Sequence, residues 1–544
     1  MPTINLNKWI LLEKVSLSEG QLKEFLFKLK SEVSPVSDDE YSVEINADRV
    51  DMLGLGGVVR ALKGISGKEL GEPKYTVKET DYMLVIDKVP QRPYALACVI
   101  HNVKLSPEAY LKEIIQFQEK LHETIGRKRK KVAIGIHDLR KIKSKIIRYS
   151  LVSTNDKIVP LGSTVPMTLS EVLRETEQGR KYGEISLREG RMPAIMDSDY
   201  NILSLPPVIN SEETRLEPNT NSLFVDVTGT SLDAVSQTLD ILATNFAELG
   251  AEIGAVMIKE SEGTIRKSPL LTHNRLRVSL KEIESILGIK LSQEDAKRFL
   301  EMMREDVVIG DGVLEVVIPP YRVDIMNVTD VAEDIAMAYG YENFALNEVK
   351  VYRVGSLSPK SSLYRKLRTL IIGAGFQEIY TLILTKSTRQ VGEIVQIENP
   401  ISQEYDSVRN SLIWNMLTFM SNNQHARFPV RVFEIGEVVL RDSTTDTGYR
   451  NFFRVSIGVM DSKVSYESIQ APVHEILLAL SGEKPEYKRT VNDVFMRGRT
   501  AEILLKGRSV GVIGEISPVM LNKFQLLYPV ALAELDVDTL LEVI

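Results

Sequence analysis

Cys98 is the only cysteine in 544 residues, so no disulfide can close within the chain and no multi-cysteine zinc site can form. Whatever folds here folds without covalent staples, which fits a reducing cytoplasm. A chain of this length divides into about three to four domains at roughly 100–200 residues each. Its 43% hydrophobic and 26% charged content is that of globular protein and excludes a disordered or fibrous chain. With 67 Lys and Arg against 74 Asp and Glu, the net charge of −7 excludes a histone-like protein that coats nucleic acid by bulk charge, though not a local basic face. The opening residues Met1–Lys8 have no basic region followed by an apolar one, and the apolar stretch Thr369–Phe376 is far shorter than a membrane span. A soluble, cytoplasmic, α+β multidomain protein is expected.

Four segments follow from the patterning. Residues 1–85 form an N-terminal α+β domain, in which Asp51 is expected to cap the helix carrying Leu53, Val58, Val59 and Leu62. Gly54, Gly56 and Gly57 lack the spacing of a dinucleotide loop, because Val59 stands where its third glycine belongs; close helix packing explains them. Residues 86–270 mix strand runs with helices and frequent turn signals, which predicts an antiparallel-sheet domain. Residues 271–347 contain a capping box at Ser279 and Glu282, a weaker copy at Ser292 and Asp295, and a helix Val331–Tyr339 ending at Gly340. Residues 348–544 alternate helices with strands.

Several enzyme classes are excluded. The six histidines have neither H-x-H nor H-E-x-x-H spacing, since Leu478 takes the second ligand's place after His474-Glu475. Gly507-Arg-Ser-Val-Gly511 matches a nucleophile elbow in letters, but strand-like residues follow it, so a hairpin turn is expected. Gly67-Lys68 lacks the first glycine of a phosphate loop.

Three constellations remain. Asp324 precedes Asp330, Glu333 and Asp334, which stand at i, i+3 and i+4 on one helical face. Four converging carboxylates would suit Mg²⁺, a hard cation; acids at a helix N-terminus are also favoured by its dipole alone. Between Arg127 and Arg148 lie ten Lys or Arg against one acid, Asp138, a face suited to phosphate or simply to solvent. Finally, Ser204, Asn210, Asp226 and Thr228 are polar residues in apolar strand runs. Asp226 and Thr228 share a strand face, and a polar pocket or a wet strand face would account for them equally.

These residues sit within a series of markers: Val43-Glu-Ile-Asn-Ala-Asp-Arg-Val-Asp51, Ile134-Gly-Ile-His-Asp-Leu139, Leu203-Ser-Leu-Pro-Pro-Val-Ile-Asn-Ser211 and Phe224-Val-Asp-Val-Thr-Gly-Thr230. Tyr321-Arg-Val-Asp-Ile-Met326, Tyr339-Gly-Tyr341, Asn399-Pro-Ile-Ser-Gln-Glu404, Val408-Arg-Asn-Ser-Leu412 and Phe433-Glu-Ile-Gly436 continue it. In this order, the chain resembles the beta subunits of phenylalanine–tRNA ligases, in their shorter archaeal and eukaryotic-cytosolic form, over nearly its whole length. The resemblance implies a complex of two alpha and two beta chains. The alpha chain would hold ATP and phenylalanine, and tRNA(Phe) would be the shared substrate. It implies an editing domain at 86–270 that hydrolyses Tyr-tRNA(Phe), with Ser204, Asn210, Asp226 and Thr228 as its candidate residues and no metal. It further implies a helix-turn-helix-like (winged-helix) domain at 271–347 bearing a shared Mg²⁺ site at Asp324, Asp330, Glu333 and Asp334. The last segment, 348–544, would be a class II synthetase-like domain without catalytic motifs, with Val408–Leu412 and Phe433–Gly436 at the alpha–beta interface. Two other readings are a free-standing trans-editing protein, which would not need such a C-terminal domain, and a winged-helix DNA-binding regulator, whose final-helix acids would repel phosphate.

Overall fold

In the computed structural model, residues 2–348 and 350–544 are described. They form two compact units, Met1–Asn347 and Glu348–Ile544. Both are mixed α and β. No helix among the described residues is long and apolar enough to cross a membrane.

The first unit begins with a three-stranded antiparallel sheet in which Glu40–Glu44 lies between Thr3–Asn7 and Glu32–Pro35. Asp51 does not cap the helix Leu55–Ile65. It lies in the short 3-10 turn Val50–Met52, buried between Arg49 (2.9 Å) and Arg60 (3.3 Å), and the helix starts from Gly54 with no side-chain cap. Two buried arginines make an ionised carboxylate worth more there than a capping bond would be, and they hold its pKa at about 2 against the opposing effect of burial. The three glycines serve packing. A Cβ at Gly56 would lie 2.1 Å from the Asn245 carbonyl oxygen and one at Gly57 1.8 Å from that of Asp51, so the helix can press against Leu232–Glu248.

An eleven-stranded sheet carries the middle of this unit. Its order runs Ile209–Asn210, Ile202–Leu205, Arg191–Met196, Ile146–Ser153, Met83–Ile86, Glu252–Lys259, Tyr94–His101, Ser222–Gly229 and Val132–Asp138, with two short strands pairing onto Glu252–Lys259. The sheet is antiparallel where the candidate residues stand. Met83–Ile86, however, runs parallel to both of its neighbours, and Val77–Lys78 is parallel to Glu252–Lys259. Those two strands come from the stretch before residue 86 and belong with the sheet that follows it.

The end of the unit is a smaller antiparallel sheet, with Val313–Ile318 between Asn274–Ser279 and Asp306–Ile309, packed by the helices Leu280–Leu287, Gln293–Met302 and Val328–Tyr339. Ser279 makes no side-chain cap, whereas Ser292 accepts the Asp295 N–H at 3.0 Å. The last helix starts three residues earlier than its apolar pattern suggests. Asn327 caps it, and Asp330 returns a carboxylate to the Asn327 N–H.

The second unit is built on a seven-stranded sheet ordered Gln377–Glu378, Val430–Arg441, Tyr449–Met460, Val530–Asp536, Arg508–Ile516, Phe495–Leu505, Glu486–Arg489, antiparallel except at its first pair. Helices Pro359–Gly373, Glu467–Ser481 and Val537–Val543 cover one face, and Leu412–Asn422 with Pro518–Lys523 the other, each over its own apolar cluster. Gly507 lies in the tight turn between two strands, beside Lys506, both at positive φ (76° and 50°): a hairpin, as its surroundings suggest. Arg409 and Glu434 do not face outward as an interface motif would. They are buried against each other at 2.7 Å, with Arg409 also donating to the Glu437 carbonyl and to Thr381 Oγ1, so they serve this unit's own interior.

Candidate functional site

The strand Ser222–Gly229 lies between Tyr94–His101 and Val132–Asp138, and its alternation turns Asp226 to one face and the apolar Val225 and Val227 to the other. Asp226 pairs with Gly135 across the ladder. A Cβ at Gly135 would sit 2.1 Å from Asp226 Oδ2, so only glycine leaves room for the carboxylate to lie over its neighbour strand. Asp226 Oδ2 meets His137 Nε2 at 3.0 Å, and His137 Nδ1 meets Thr214 Oγ1 at 2.7 Å. With the carboxylate ionised, Nε2 is the donor and Nδ1 accepts from the threonine hydroxyl.

A cavity of about 440 Å³ opens over this strand. Its lining brings together Ser204, Asn210 and Asp226, three of the four residues expected in a polar pocket. Asn210 donates to the Ile136 carbonyl at 3.4 Å. Ser204 Oγ and Asp226 Oδ1 are buried and make no hydrogen bond among the described residues. Such orphaned polar atoms cost about 1–3 kcal/mol each unless something else satisfies them.

Thr228 is not part of that lining. Arg92 covers it, donating from Nε to Thr228 Oγ1 at 2.8 Å and from Nη2 to the Thr228 carbonyl at 2.7 Å. Through Nη1 the same guanidinium reaches the carbonyls of Arg129 and Lys130 at 3.3 and 3.5 Å. Burial lowers Arg92 to about 10 against the influence of Tyr149 and Asp226, so it remains a cation. Thr228 therefore anchors the arginine that holds the loop beside the cavity.

That loop supplies residues the sequence reading missed. Arg127, Lys128 and Arg129 follow the helix Glu108–Glu123 with three successive positive φ values (48°, 55° and 65°). Arg129 is drawn back over the cavity. It donates to Glu119 at 2.5 Å and to the Pro207 and Val208 carbonyls at 3.1 Å each, and lies 4.5 Å over the Tyr182 ring. His122 accepts the Ile134 N–H at Nε2 (2.8 Å), which fixes Nδ1 as its protonated nitrogen, facing Glu119 at 3.1 Å. Burial lowers the His122 pKa, the hydrogen bond to Glu119 opposing it, and keeps the ring neutral. Burial pushes the Glu119 carboxyl up, but His122 and Arg129 outweigh it and hold it below its ordinary value. The i, i+3 spacing of Glu119 and His122 was the one available sign of this network.

The four acids expected to share a cation are divided among other partners. Arg322 bonds Asp324 at 2.8 Å and Asp334 at 2.7 Å, and reaches Glu305 at 3.3 Å. Glu333 pairs with Lys30 at 2.7 Å, and Asp330 accepts the Met326 and Asn327 N–H groups at 2.8 and 2.9 Å. Among the described residues, no group of three or more His, Cys, Asp or Glu is placed to hold a metal ion. The donor chemistry suits Mg²⁺, but this placement does not fit a single ion, because a buried guanidinium already neutralises the two innermost carboxylates.

Residues 276–341 match the family model described as the tRNA synthetase B5 domain, and residues 349–537 match the phenylalanyl tRNA synthetase beta chain CLM domain. The phenylalanine–tRNA ligase beta subunit of Metallosphaera sedula is 60% identical over 540 residues, covering 99% of each chain. That of Sulfurisphaera tokodaii is 49% identical over 544 residues, covering 100% of each. The chain belongs to the phenylalanine–tRNA ligase beta subunit family. An N-terminal fragment of the phenylalanyl-tRNA synthetase beta subunit from Pyrococcus horikoshii, a solved structure, superposes with a TM-score of 0.60 at 33% identity, covering 62% of this chain and all of the fragment.

Proposed function

We infer that this chain acts as the beta subunit of a cytoplasmic phenylalanine–tRNA ligase, which joins phenylalanine to tRNA(Phe) with conversion of ATP to AMP and diphosphate. Two alpha and two beta chains would make up the enzyme, the alpha chain binding ATP and phenylalanine. In this reading the N-terminal domain ends before Val77–Lys78, whose strand and Met83–Ile86 join the sheet of the editing domain that runs to 270. Residues 271–347 form a winged-helix domain, and 348–544 a class II synthetase-like domain that binds the alpha chain and has lost its own chemistry. Full-length likeness to ligase subunits disfavours a free-standing trans-editing protein.

The beta chain's own chemistry in this proposal is hydrolysis of tyrosine from tRNA(Phe). A pocket shaped for phenylalanine rejects an added hydroxyl only about 10²-fold, so a second site is needed. The observation that carries the proposal is the pair of orphaned oxygens, Ser204 Oγ and Asp226 Oδ1, in one cavity. A tyrosyl hydroxyl can satisfy them and a phenyl ring cannot. Sites of that kind discriminate by roughly 10⁴–10⁵-fold, because the wrong ligand leaves buried groups unpaired. Asp226, held by His137, would accept from the tyrosyl hydroxyl or position the water that attacks the ester, with Ser204 and Asn210 orienting the amino acid. Thr228 acts through Arg92. The test is Asp226→Ala in the assembled ligase: phenylalanylation should persist while Tyr-tRNA(Phe) accumulates. Unchanged Tyr-tRNA(Phe) hydrolysis would remove Asp226 from the site.

For magnesium we propose only a role in the assembled ligase. Asp330 and Glu333, the two of Asp324, Asp330, Glu333 and Asp334 that Arg322 does not hold, would be this chain's contribution to a shared ion. Mg²⁺ needs only one or two carboxylates besides water and other ligands. No step of hydrolysis is routed through it.

A further inference from the structure

The basic run Arg127–Arg148 has no place in the chemistry so far, and the structure divides it. Arg140, Lys141 and Arg148 are paired with Asp138 (2.7 Å), Glu217 (2.8 Å) and Asp87 (3.0 Å), Lys145 is paired with Asp81, and Arg129 is spent on Glu119. These charges are neutralised within the chain. Lys128 and Lys130 have no carboxylate partner among the described residues, and both line a second cavity of about 680 Å³.

This second cavity is continuous in its walls with the first. Glu119, His122, Arg129, Lys181 and Tyr182 line both. Lys181 lies 5.1 Å from the Tyr182 ring and, among the described residues, makes no direct ion pair, although the Tyr182 hydroxyl and Glu177, one helical turn before it, raise its pKa. Of the acids in the second cavity, Glu119 is committed to Arg129 and His122, and Glu123 is 3.7 Å from Lys120; Glu184 has no cation partner among the described residues. Lys128, Lys130 and Lys181 outnumber Glu184 and the Glu177 beside Lys181, a local excess of cations in a protein with a net charge of −7. A basic groove with an aromatic ring at its edge is how single-stranded nucleic acid is held without reading its sequence.

We propose that the second cavity is a phosphate-binding vestibule for the single-stranded 3′ end of the aminoacylated RNA, with Lys128, Lys130 and Lys181 as its cationic contacts. The proposal rests on the editing reading of the first cavity and extends it. With the esterified 3′ nucleoside in the first cavity, the phosphates one and two nucleotides upstream would fall among these lysines.

The test compares two substrates in the assembled ligase: tyrosyl-tRNA(Phe), and 3′-O-tyrosyl-adenosine, which carries the same ester without any phosphate. Lys128→Ala/Lys130→Ala/Lys181→Ala should raise KM for tyrosyl-tRNA(Phe) roughly tenfold, with little effect on kcat. It should also flatten the dependence of log(kcat/KM) on log salt by about 1.4, from two single-strand phosphate contacts. The loss with tyrosyl-tRNA(Phe) should exceed the loss with tyrosyl-adenosine by most of that factor. A wild-type KM and salt slope in the triple variant would overturn the vestibule. So would an equal loss on both substrates, which would mean the lysines support the pocket's fold. If the unmodified ligase hydrolyses neither substrate, the editing reading itself fails, and the vestibule with it.

Discussion

Gly135→Ala tests the geometry of the pocket without removing any polar group. The added Cβ would stand 2.1 Å from Asp226 Oδ2 and 2.9 Å from His137 Nε2. Non-bonded carbon and oxygen atoms do not approach that closely, so the carboxylate must retreat by about 1 Å, enough to break its 3.0 Å contact with His137. Both partners are fully buried, which leaves little room for the movement. Overpacking of this kind costs about 1–3 kcal/mol, and displacement of a positioned group by about 1 Å costs on the order of 10²-fold in rate. The assembled variant ligase should therefore melt somewhat lower and phenylalanylate normally. It should hydrolyse Tyr-tRNA(Phe) about 10²-fold more slowly. Because the effect runs through Asp226, Gly135→Ala added to Asp226→Ala should do almost no further harm, the non-additivity expected of residues in contact. Wild-type hydrolysis by Gly135→Ala, or a full additional loss in the double variant, would refute the claim that Asp226 must lie over Gly135.

Three further outcomes test other parts of the molecule. Glu113 is buried, with Oε1 accepting the Asn7 N–H at 2.9 Å and Oε2 unpartnered, and burial raises its pKa to about 7. A raised carboxyl keeps its proton in the fold while the unfolded chain loses it, so stability falls as pH climbs from about 4.5 to about 7. Glu113→Gln should recover roughly 3 kcal/mol above pH 7 and little below pH 4.5, read from thermal melts across that range; a pH-independent effect would show that the carboxyl is ionised throughout. Arg409→Met should destabilise the second unit by about 3–5 kcal/mol, since it leaves Glu434 buried and unpaired, and a neutral result in denaturant melts would put the pair on the surface. Calorimetric titration of Mg²⁺ into the isolated chain should show no saturable site at Asp324–Asp334 while the assembled ligase shows one. Tight binding to the isolated chain would mean that Arg322 yields readily to the ion.

Asp226 was legible because a strand's alternation makes a lone carboxylate between Val225 and Val227 conspicuous, and the same rule put Thr228 beside it. What alternation cannot reveal is which groups from elsewhere in the chain cover each position. Arg92, 136 residues earlier, takes Thr228 out of the cavity, and His137 and Gly135 reach Asp226 only through strand pairing. The acidic constellation shows the same division. Asp330, Glu333 and Asp334 do lie on one helix, but Lys30, 303 residues away, pairs with Glu333. Arg322, two residues before Asp324 and just after a turn closed by its own N–H on the Pro319 carbonyl, takes both inner carboxylates. The left-handed turn at Arg127–Arg129 left no trace in a run of Lys and Arg, because nothing there is glycine or asparagine; N–H donation from Arg129 to the His122 carbonyl and from Lys131 to the Gly126 carbonyl, with Arg92 on the Arg129 and Lys130 carbonyls, holds it instead.

Pairing across the fold thus bears on function as directly as the motifs do. A charged run in sequence states only how many charges exist. The fold decides which of them are cancelled internally, at about 0–1 kcal/mol for an exposed pair, and which are left to act on a ligand. Four of the five cations at 140–148 are cancelled, Lys143 being the exception, while Lys128 and Lys130 beside the cavity are not. Salt dependence should accordingly reside in Lys128, Lys130 and Lys181 and hardly at all in residues 140–148. Neutralising Arg140, Lys141 and Arg148 should leave the salt slope of Tyr-tRNA(Phe) hydrolysis where it is, the reverse of what charge density along the sequence alone would assign.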